Sequence, residues 1–255
     1  MKSPYLFTFI IAYKHRNDRI HNLRRVLDWV SGFGGIEIII VEQDDTPKLP
    51  NFTLKGIKYY FTKSSLPFNK AWSFNVGLRY ATSENIVFGD CDLIMDPQKM
   101  IESLRLLEQY EAVSPYSRVI DLNPNEVNLP LEQLSQIERA GRGETDIQKI
   151  CLAGGIIMYR RDAIYKIGGW CEDFIGWGGE DDFQSHKTKM MLNWHEQQGV
   201  TCYHLWHERG APEPVSYQRN LNLLNKLVQL PADELLKYSN NGAQKMGFLN
   251  KYDSK

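Results

Sequence analysis

The sequence predicts an α/β fold, a sheet covered on both faces by helices, from three observations. Short apolar runs alternate with amphipathic ones along most of the chain. Hydrophobic residues make up 42% of the 255 positions, enough for one large core. The acidic group Asp90-Cys91-Asp92 directly follows the apolar Asn85-Ile86-Val87-Phe88, where a buried strand would end and the chain would emerge into a cleft.

Leu6 to Ala12 reads as the first strand. Asp18 to Trp29 is the following helix, with Ile20, Leu23, Val26 and Leu27 on one face, stopped at Gly32 to Gly35. Ile36 to Val41 and Ile57 to Phe61 are the next strands. Asn69 to Ala81 is a helix with Trp72 and Val76 turned inward, and Ile86 to Gly89 leads into the acidic group. Met100 to Glu111 reads as a helix. Arg118 to Ile150 has no strand period and contains Gly141 and Gly143, so loop and helix are expected there. Leu152 to Tyr159 forms another strand, and Asp181 to Gln198 a helix whose first turn carries acids. Beyond Pro214 come the leucine-rich helical stretches Leu221 to Leu230 and Ala232 to Tyr238. Neither an internal repeat nor a low-complexity linker is present.

Alternate residues of an extended segment share a face, so Asp90 and Asp92 point to one side of Cys91, one toward a ligand and the other toward a hard divalent cation, Mn²⁺ or Mg²⁺. Asp92 is the better first ligand. His204 and His207 stand three residues apart; from a turn both imidazoles reach one metal, whereas a strand would separate their faces. The run Glu180-Asp181-Asp182 is bracketed by Phe174, Ile175, Trp177 and Phe183, with glycines at 176, 178 and 179. The glycines permit left-handed turns, and the indole offers a flat face for a sugar ring. The same acids suit a helix cap, and both roles can coexist. At the other edge of the cleft His15, Arg16 and Arg19 follow the first strand, where a guanidinium fork can grip a diphosphate, although basic residues opening a helix are often simply solvated. Glu42 and Asp44 close the second strand, facing a base or ribose edge or forming a plain Asp44-Asp45-Thr46-Pro47 turn.

Taken in order, these segments resemble a metal-dependent GT-A glycosyltransferase of the β-1,4-galactosyltransferase type, with kinship to bacterial chondroitin-polymerase modules. His15-Arg16-Asn17-Asp18-Arg19 is similar to the family's H-R-x-R turn. Phe68-Asn69-Lys70-Ala71 with Asn75-Val76-Gly77 is similar to its F-N-R-A and N-V-G stretches, and Asp90-Cys91-Asp92-Leu93-Ile94 to its D-V-D-L-I. Ala153-Gly154-Gly155 and Gly168-Gly169-Trp170 precede Trp177 to Asp182, which matches its W-G-G-E-D-D block. His204-Leu205-Trp206-His207-Glu208 stands where relatives carry a methionine and a histidine on the metal.

The resemblance implies a Rossmann-like mixed sheet flanked by helices. It implies a single catalytic domain over 1–215, with a nucleotide-binding half to about 95 and an acceptor-binding half beyond it, followed by a helical extension over 216–255. It further implies a UDP-sugar donor held by His15, Arg16, Arg19, Glu42, Phe68, Lys70, Asp90 and Gly155, and a metal on Asp92, His204 and His207. Galactose or N-acetylgalactosamine would pass with inversion to a hydroxyl of an oligosaccharide or lipid-linked sugar. Asp181 would be the base, and Glu180, Asp182 and Trp177 would orient the acceptor. Galactose-preferring relatives carry a tyrosine two residues before the paired glycines; here Leu152 leaves room for an N-acetyl group. A retaining transferase, a nucleotide-sugar hydrolase or phosphotransferase, and a non-catalytic carbohydrate-binding protein are the alternatives.

Other classes fit poorly. With 30 basic and 31 acidic residues and a net charge of −1, no global field recruits nucleic acid or an anionic membrane. The apolar Tyr5 to Ala12 is too short to span a bilayer and lacks the pattern of a secretion signal. The expected location is the cytoplasm, beside the inner face of a membrane by analogy with lipid-linked acceptors. Cys91, Cys151, Cys171 and Cys202 have no C-x-x-C spacing, so reduced thiols are expected.

Overall fold

Strand pairing determines where the polar turns of this chain gather. The computed structural model describes residues 3–49, 56–144, 150–208, 213–243 and 246–252. The first half runs β1 (Thr8–Tyr13), α1 (Ile20–Ser31), β2 (Glu37–Asp44), β3 (Ile57–Lys63), α2 (Lys70–Tyr80), β4 (Asn85–Gly89), β5 (Leu93–Met95) and α3 (Pro97–Arg105). The second half continues with β6 (Ala112–Ser114), β7 (Arg118–Asp121), α4 (Leu131–Leu134), β8 (Ile156–Arg160), α5 (Arg161–Lys166) and α6 (Glu180–Met191). β9 (Trp194–Glu196), β10 (Thr201–His204), α7 (Pro214–Leu227) and α8 (Ala232–Ala243) complete it.

A seven-stranded sheet has the order β3-β2-β1-β4-β8-β6-β9. β3, β2, β1 and β4 are parallel; β8 is antiparallel to β4 and β6, and β9 is parallel to β6. β1 sends its crossover to β2 on one side and has β4 on the other. The carboxyl ends of β1 and β4 therefore flank the switch point at which open α/β sheets bind ligands. Both faces of β1 are buried, as an inner parallel strand requires. Phe9, Ile11 and Tyr13 pack with Leu23, Val26 and Val30 of α1, and Ile10 and Ala12 with Trp72 and Val76 of α2.

A second sheet of order β5-β10-β7 sits beside the first. β10 is antiparallel to β5, pairing His204 with Leu93, and parallel to β7, pairing His204 with Asp121. That register carries His204 to the residue following Asp92. α7 and α8 cover α6 through a small apolar cluster of Phe174, Phe183, Leu227 and Leu235. Residues 246–252 return to the main body: Met246 joins the core behind α2, and Trp72 Nε1 donates to the Phe248 carbonyl at 2.8 Å. Among the described residues no helix is long and apolar enough to cross a membrane. The four cysteines are free thiols.

Several expected boundaries move, each for a local reason. The helix expected over Asp181 to Gln198 stops at Met191, because Leu192 is extended and Trp194–Glu196 pairs with β6; sheet pairing overrides the helix-forming residues there. The stretch from Arg118 to Ile150 opens with a strand, β7, whose four residues are too few to show a period; residues 145–149 lie outside those described. The helix expected from Met100 begins at Pro97, capped by Asp96 accepting from Lys99 N at 3.0 Å, and passes into a 3₁₀ turn at Leu106–Glu108. Glu213 caps α7 by accepting from Val215 N and Ser216 N, so that helix starts seven residues before Leu221. β8 begins at Ile156 rather than Leu152, after Gly155 turns with φ 94°.

Candidate active site

Two clusters meet at Asp90-Cys91-Asp92, just past the end of β4. In the first, Asp92 is 4% exposed, and His204 from β10 and His207 just beyond it are brought to it, all three offering ligand atoms within 4.8 Å of one another. His207 Nε2 lies 3.4 Å from Asp92 Oδ2, and His204 Nε2 3.8 Å from Oδ1. The backbone fixes this pairing. Leu205 N donates to the Asp92 carbonyl at 2.8 Å, and buried Asn22 of α1 donates to the Trp206 carbonyl at 3.0 Å. His204 ends its strand and His207 follows in an irregular segment, so the alternation that would separate their faces does not apply.

The donor set fits a divalent cation: one carboxylate and two imidazoles from segments held by different elements. Burial pushes the His207 imidazole down from its ordinary pKa, which keeps it in the neutral form a metal ligand needs. Arg19 approaches the same carboxylate at 3.7 Å and His207 Nε2 at 3.3 Å, so positive charge already lies on this side of the cleft. Arg16 is engaged with Asp18 in a two-pronged pair at 2.8 and 3.0 Å and donates to the Glu208 carbonyl at 3.2 Å. His15 bridges Tyr13 and Asn17 at 3.3 and 3.2 Å.

The second cluster surrounds one lysine. Lys70, opening α2, places its ammonium 2.7 Å from Asp181 Oδ1 and 3.6 Å from both Asp90 Oδ1 and Glu180 Oε1. Burial alone would depress the Lys70 pKa; the surrounding carboxylates outweigh it and hold it well above its ordinary value. One ammonium cannot neutralise three carboxylates. Burial, and the Glu180 and Asp90 charges that Lys70 only partly offsets, push the Asp181 carboxyl up to about 7. Glu180 Oε2 is buried with no hydrogen-bond partner among the described residues. Asp182 accepts from the Cys151 thiol at 3.1 Å.

The loop before α6 gives this cluster its shape. Gly176, Gly178 and Gly179 all have positive φ, from 84° to 101°, and Gly179 caps α6 in the left-handed region. The turn starts the helix at Glu180, placing the acids in the first turn where the helix dipole favours them, although none makes a capping hydrogen bond among the described residues. Trp177, 64% exposed, stands on this loop with its ring 5.3 Å from that of Tyr217 on α7. Buried Asn220 of α7 donates to the carbonyls of Ile175 and Trp177 at 3.2 and 3.3 Å, and Arg219 donates to Ile175.

Not every expected donor contact reaches the cleft. Glu42 is fully buried, its carboxylate accepting from Lys48 N, Leu49 N and the Tyr59 hydroxyl, so it holds a turn. Phe68 is half-buried at the edge of the core, its carbonyl accepting from Gly176 N at 2.9 Å, which ties the glycine loop to the start of α2. Leu152 is 1% exposed and packs in the core behind α2, not against open space. A Cβ at Gly155 would come within 2.4 Å of Leu93 and of the Tyr116 hydroxyl, and its carbonyl accepts from Asp90 N at 3.1 Å; this glycine lets β8 approach the acidic group. Asp121, Cys151, Tyr217 and Asn220 escape a sequence reading. For Asp121 a signal existed, a carboxylate closing a short apolar Val119-Ile120 pair as Asp90 closes its own strand.

Comparison with known proteins bears on the family and the fold. Residues 8–168, more than half of the chain, match the family described as glycosyl transferase family 2. Human chondroitin sulfate N-acetylgalactosaminyltransferase 1 is 28% identical over 184 residues, covering 68% of this chain and 32% of that protein. The chain therefore spans about a third of the length of the curated relative it matches. Among solved structures, GalNAc-T7 with UDP, GalNAc and Mn²⁺ superposes with a TM-score of 0.60 at 13% identity, over 92% of this chain and 54% of the other. S. aureus TarS gives 0.59 at 12% identity, over 100% and 46%. The mannosyltransferase PcManGT of Pyrobaculum calidifontis, with GDP-Man and Mn²⁺, gives 0.53 at 17%, over 94% and 76%. These likenesses share the GT-A fold, and with the family match they make this chain a glycosyltransferase belonging to glycosyl transferase family 2.

Proposed function

We propose that this protein is a metal-dependent, inverting hexosyltransferase that moves a sugar from a UDP-sugar to a sugar hydroxyl, with Asp181 as base. The observation that carries it is the meeting of two chemically different clusters at one D-x-D turn, Asp92 with two histidines on one side and Asp90 with Lys70 and Asp181 on the other.

In this reading Asp92, His204 and His207 hold a divalent cation, manganese in preference to magnesium because two of three ligands are nitrogen. When bound, the metal supplies positive charge to the departing diphosphate. Arg19 and Arg16, beyond β1, extend that positive surface toward the phosphates. Asp181, its pKa pushed up to about 7, is matched to accepting an acceptor proton near neutral pH. Lys70 holds that carboxylate at 2.7 Å and keeps it ionisable. Trp177 offers a face to the acceptor ring and Tyr217 extends it. Asp182 and Glu180 are placed to bind acceptor hydroxyls. Inversion rests on the sequence resemblance, with Asp181 as the carboxylate best matched to the base; the retaining and non-catalytic readings have no observation that favours them.

N-acetylgalactosamine is the proposed donor sugar. The support is the name of the human relative and the GalNAc in the GalNAc-T7 structure, since Leu152 is too enclosed to select a sugar by contact. The β-1,4-galactosyltransferase-like character, an oligosaccharide or lipid-linked acceptor and a cytoplasmic location rest on the sequence resemblance. We take 1–215 as the catalytic domain and 216–255 as an extension that braces the acceptor loop, as the Asn220 bonds support; residues 244–245 and 253–255 of that extension lie outside those described. Calorimetric titration of UDP-GalNAc, UDP-Gal and UDP-Glc with and without Mn²⁺ tests the reading. Metal-dependent binding of UDP-GalNAc is expected; binding that ignores metal would overturn it.

A further inference from the structure

Strand register places Asp121, the last residue of β7, beside His204. Its Oδ1 lies 2.9 Å from His204 Nδ1 and 3.1 Å from Arg142 Nη2. Arg142 is itself pinned to β7 by reciprocal backbone bonds with Val119 at 2.8 and 3.0 Å. The Asp121 carbonyl accepts from Arg139 Nη2 at 2.6 Å. An ionised carboxylate only accepts, so this bond calls for a proton on Nδ1, and in the neutral imidazole that metal ligation requires the lone pair is then on Nε2. Nε2 is the nitrogen that faces Asp92. His207 shows the same orientation by a weaker device, Nδ1 bonding the Glu208 carbonyl at 3.0 Å while Nε2 faces Asp92.

We propose that Asp121, oriented by Arg142, is a positioning residue that fixes His204 as an Nε2 ligand of the divalent cation shared with Asp92 and His207. It rests on the metal reading above and adds an outer residue to it. A carboxylate behind a metal-bound histidine fixes the ring, selects the tautomer and raises ligand basicity, and losing it typically costs about 10–100-fold in metal affinity. Asp121 also lines the cavity that opens between His204, Trp206 and His207, so it borders the site as well as the ring behind it.

Mn²⁺ affinity of the full chain, measured by calorimetry and by electron paramagnetic resonance of free Mn²⁺, gives a readout independent of turnover. Asp121→Ala is expected to weaken Mn²⁺ binding roughly 10–100-fold. Asp121→Asn, whose amide oxygen still accepts from Nδ1–H, should recover part of the loss and guards against a folding defect in the alanine variant. In a His204→Met background Asp121→Ala should add nothing, because the ring it orients is gone. Unchanged affinity in Asp121→Ala, or an equal loss in both backgrounds, overturns the assignment. Asp92→Ala separates the two levels: if it leaves Mn²⁺ binding intact, the metal reading itself falls, whereas loss in Asp92→Ala without loss in Asp121→Ala removes only the positioning role.

Discussion

The two halves of the candidate site solve opposite electrostatic problems. Around Asp92 one buried carboxylate is met by Arg19 and two imidazoles, a single negative charge among basic groups. Around Lys70 one ammonium is met by three carboxylates, a surplus of negative charge that makes one of them hard to ionise. In the proposed reaction a departing diphosphate and a proton-losing hydroxyl would need these opposite settings, and the D-x-D turn could serve both because Asp90 and Asp92 belong to different clusters. Charge surplus, not the presence of acids, is what would separate the proposed base from the proposed metal ligand.

The contrast can be broken from either side. Asp181→Asn should leave donor and metal binding intact and lower kcat by about 100-fold to 10,000-fold, the usual yield of a positioned base, as steady-state kinetics would show. Asp92→Ala should abolish metal-dependent donor binding in calorimetry, a loss of at least about 100-fold, while the Asp181 side keeps its fold. The pH dependence sharpens the comparison. Asp181 must be deprotonated to act, so kcat/KM should fall as pH drops through about 7. Lys70→Met removes the charge that favours the carboxylate, so that acid limb should move to higher pH. The smallest effect belongs to Trp177→Ala. It should raise the acceptor KM roughly fivefold, about 1 kcal/mol of ring contact, with the donor KM unchanged.

The halves also differ in how far the sequence discloses them. Trp177 to Asp182 is a local event: glycines, aromatic and acids act within one turn, so their spacing displays their use. Asp92, too, announces itself by closing an apolar strand. Lys70 is visible only through resemblance, since nothing near it in the chain explains why a lysine should be enclosed; its carboxylate partners come from β4 and α6. Asp121 meets His204 only through the β7 and β10 register, and four-residue strands carry almost no periodic signal. Glu42 shows the limit of a strand-end acid as a signal. Its position suits a ligand contact or a plain turn, and the neighbouring turn bends back over it and takes both its oxygens. A sheet covered by helices follows from the alternation of apolar and amphipathic runs, while the helix ending at Met191 does not, because β6 decides it from far earlier in the chain.

Asn220 holds α7 to the carbonyls on either side of Gly176, and Gly178 lies under Tyr217, where a Cβ would come within 2.9 Å of the ring. Any acceptor that favours the seated loop must therefore favour the seated helix by the same free energy, since linkage is reciprocal. In the proposed reading α7 would in that sense report on the acceptor. Amide exchange along Pro214–Leu227 should slow when a sugar occupies the Trp177 face, and loosening the helix should weaken that sugar's hold at a distance from any atom it touches.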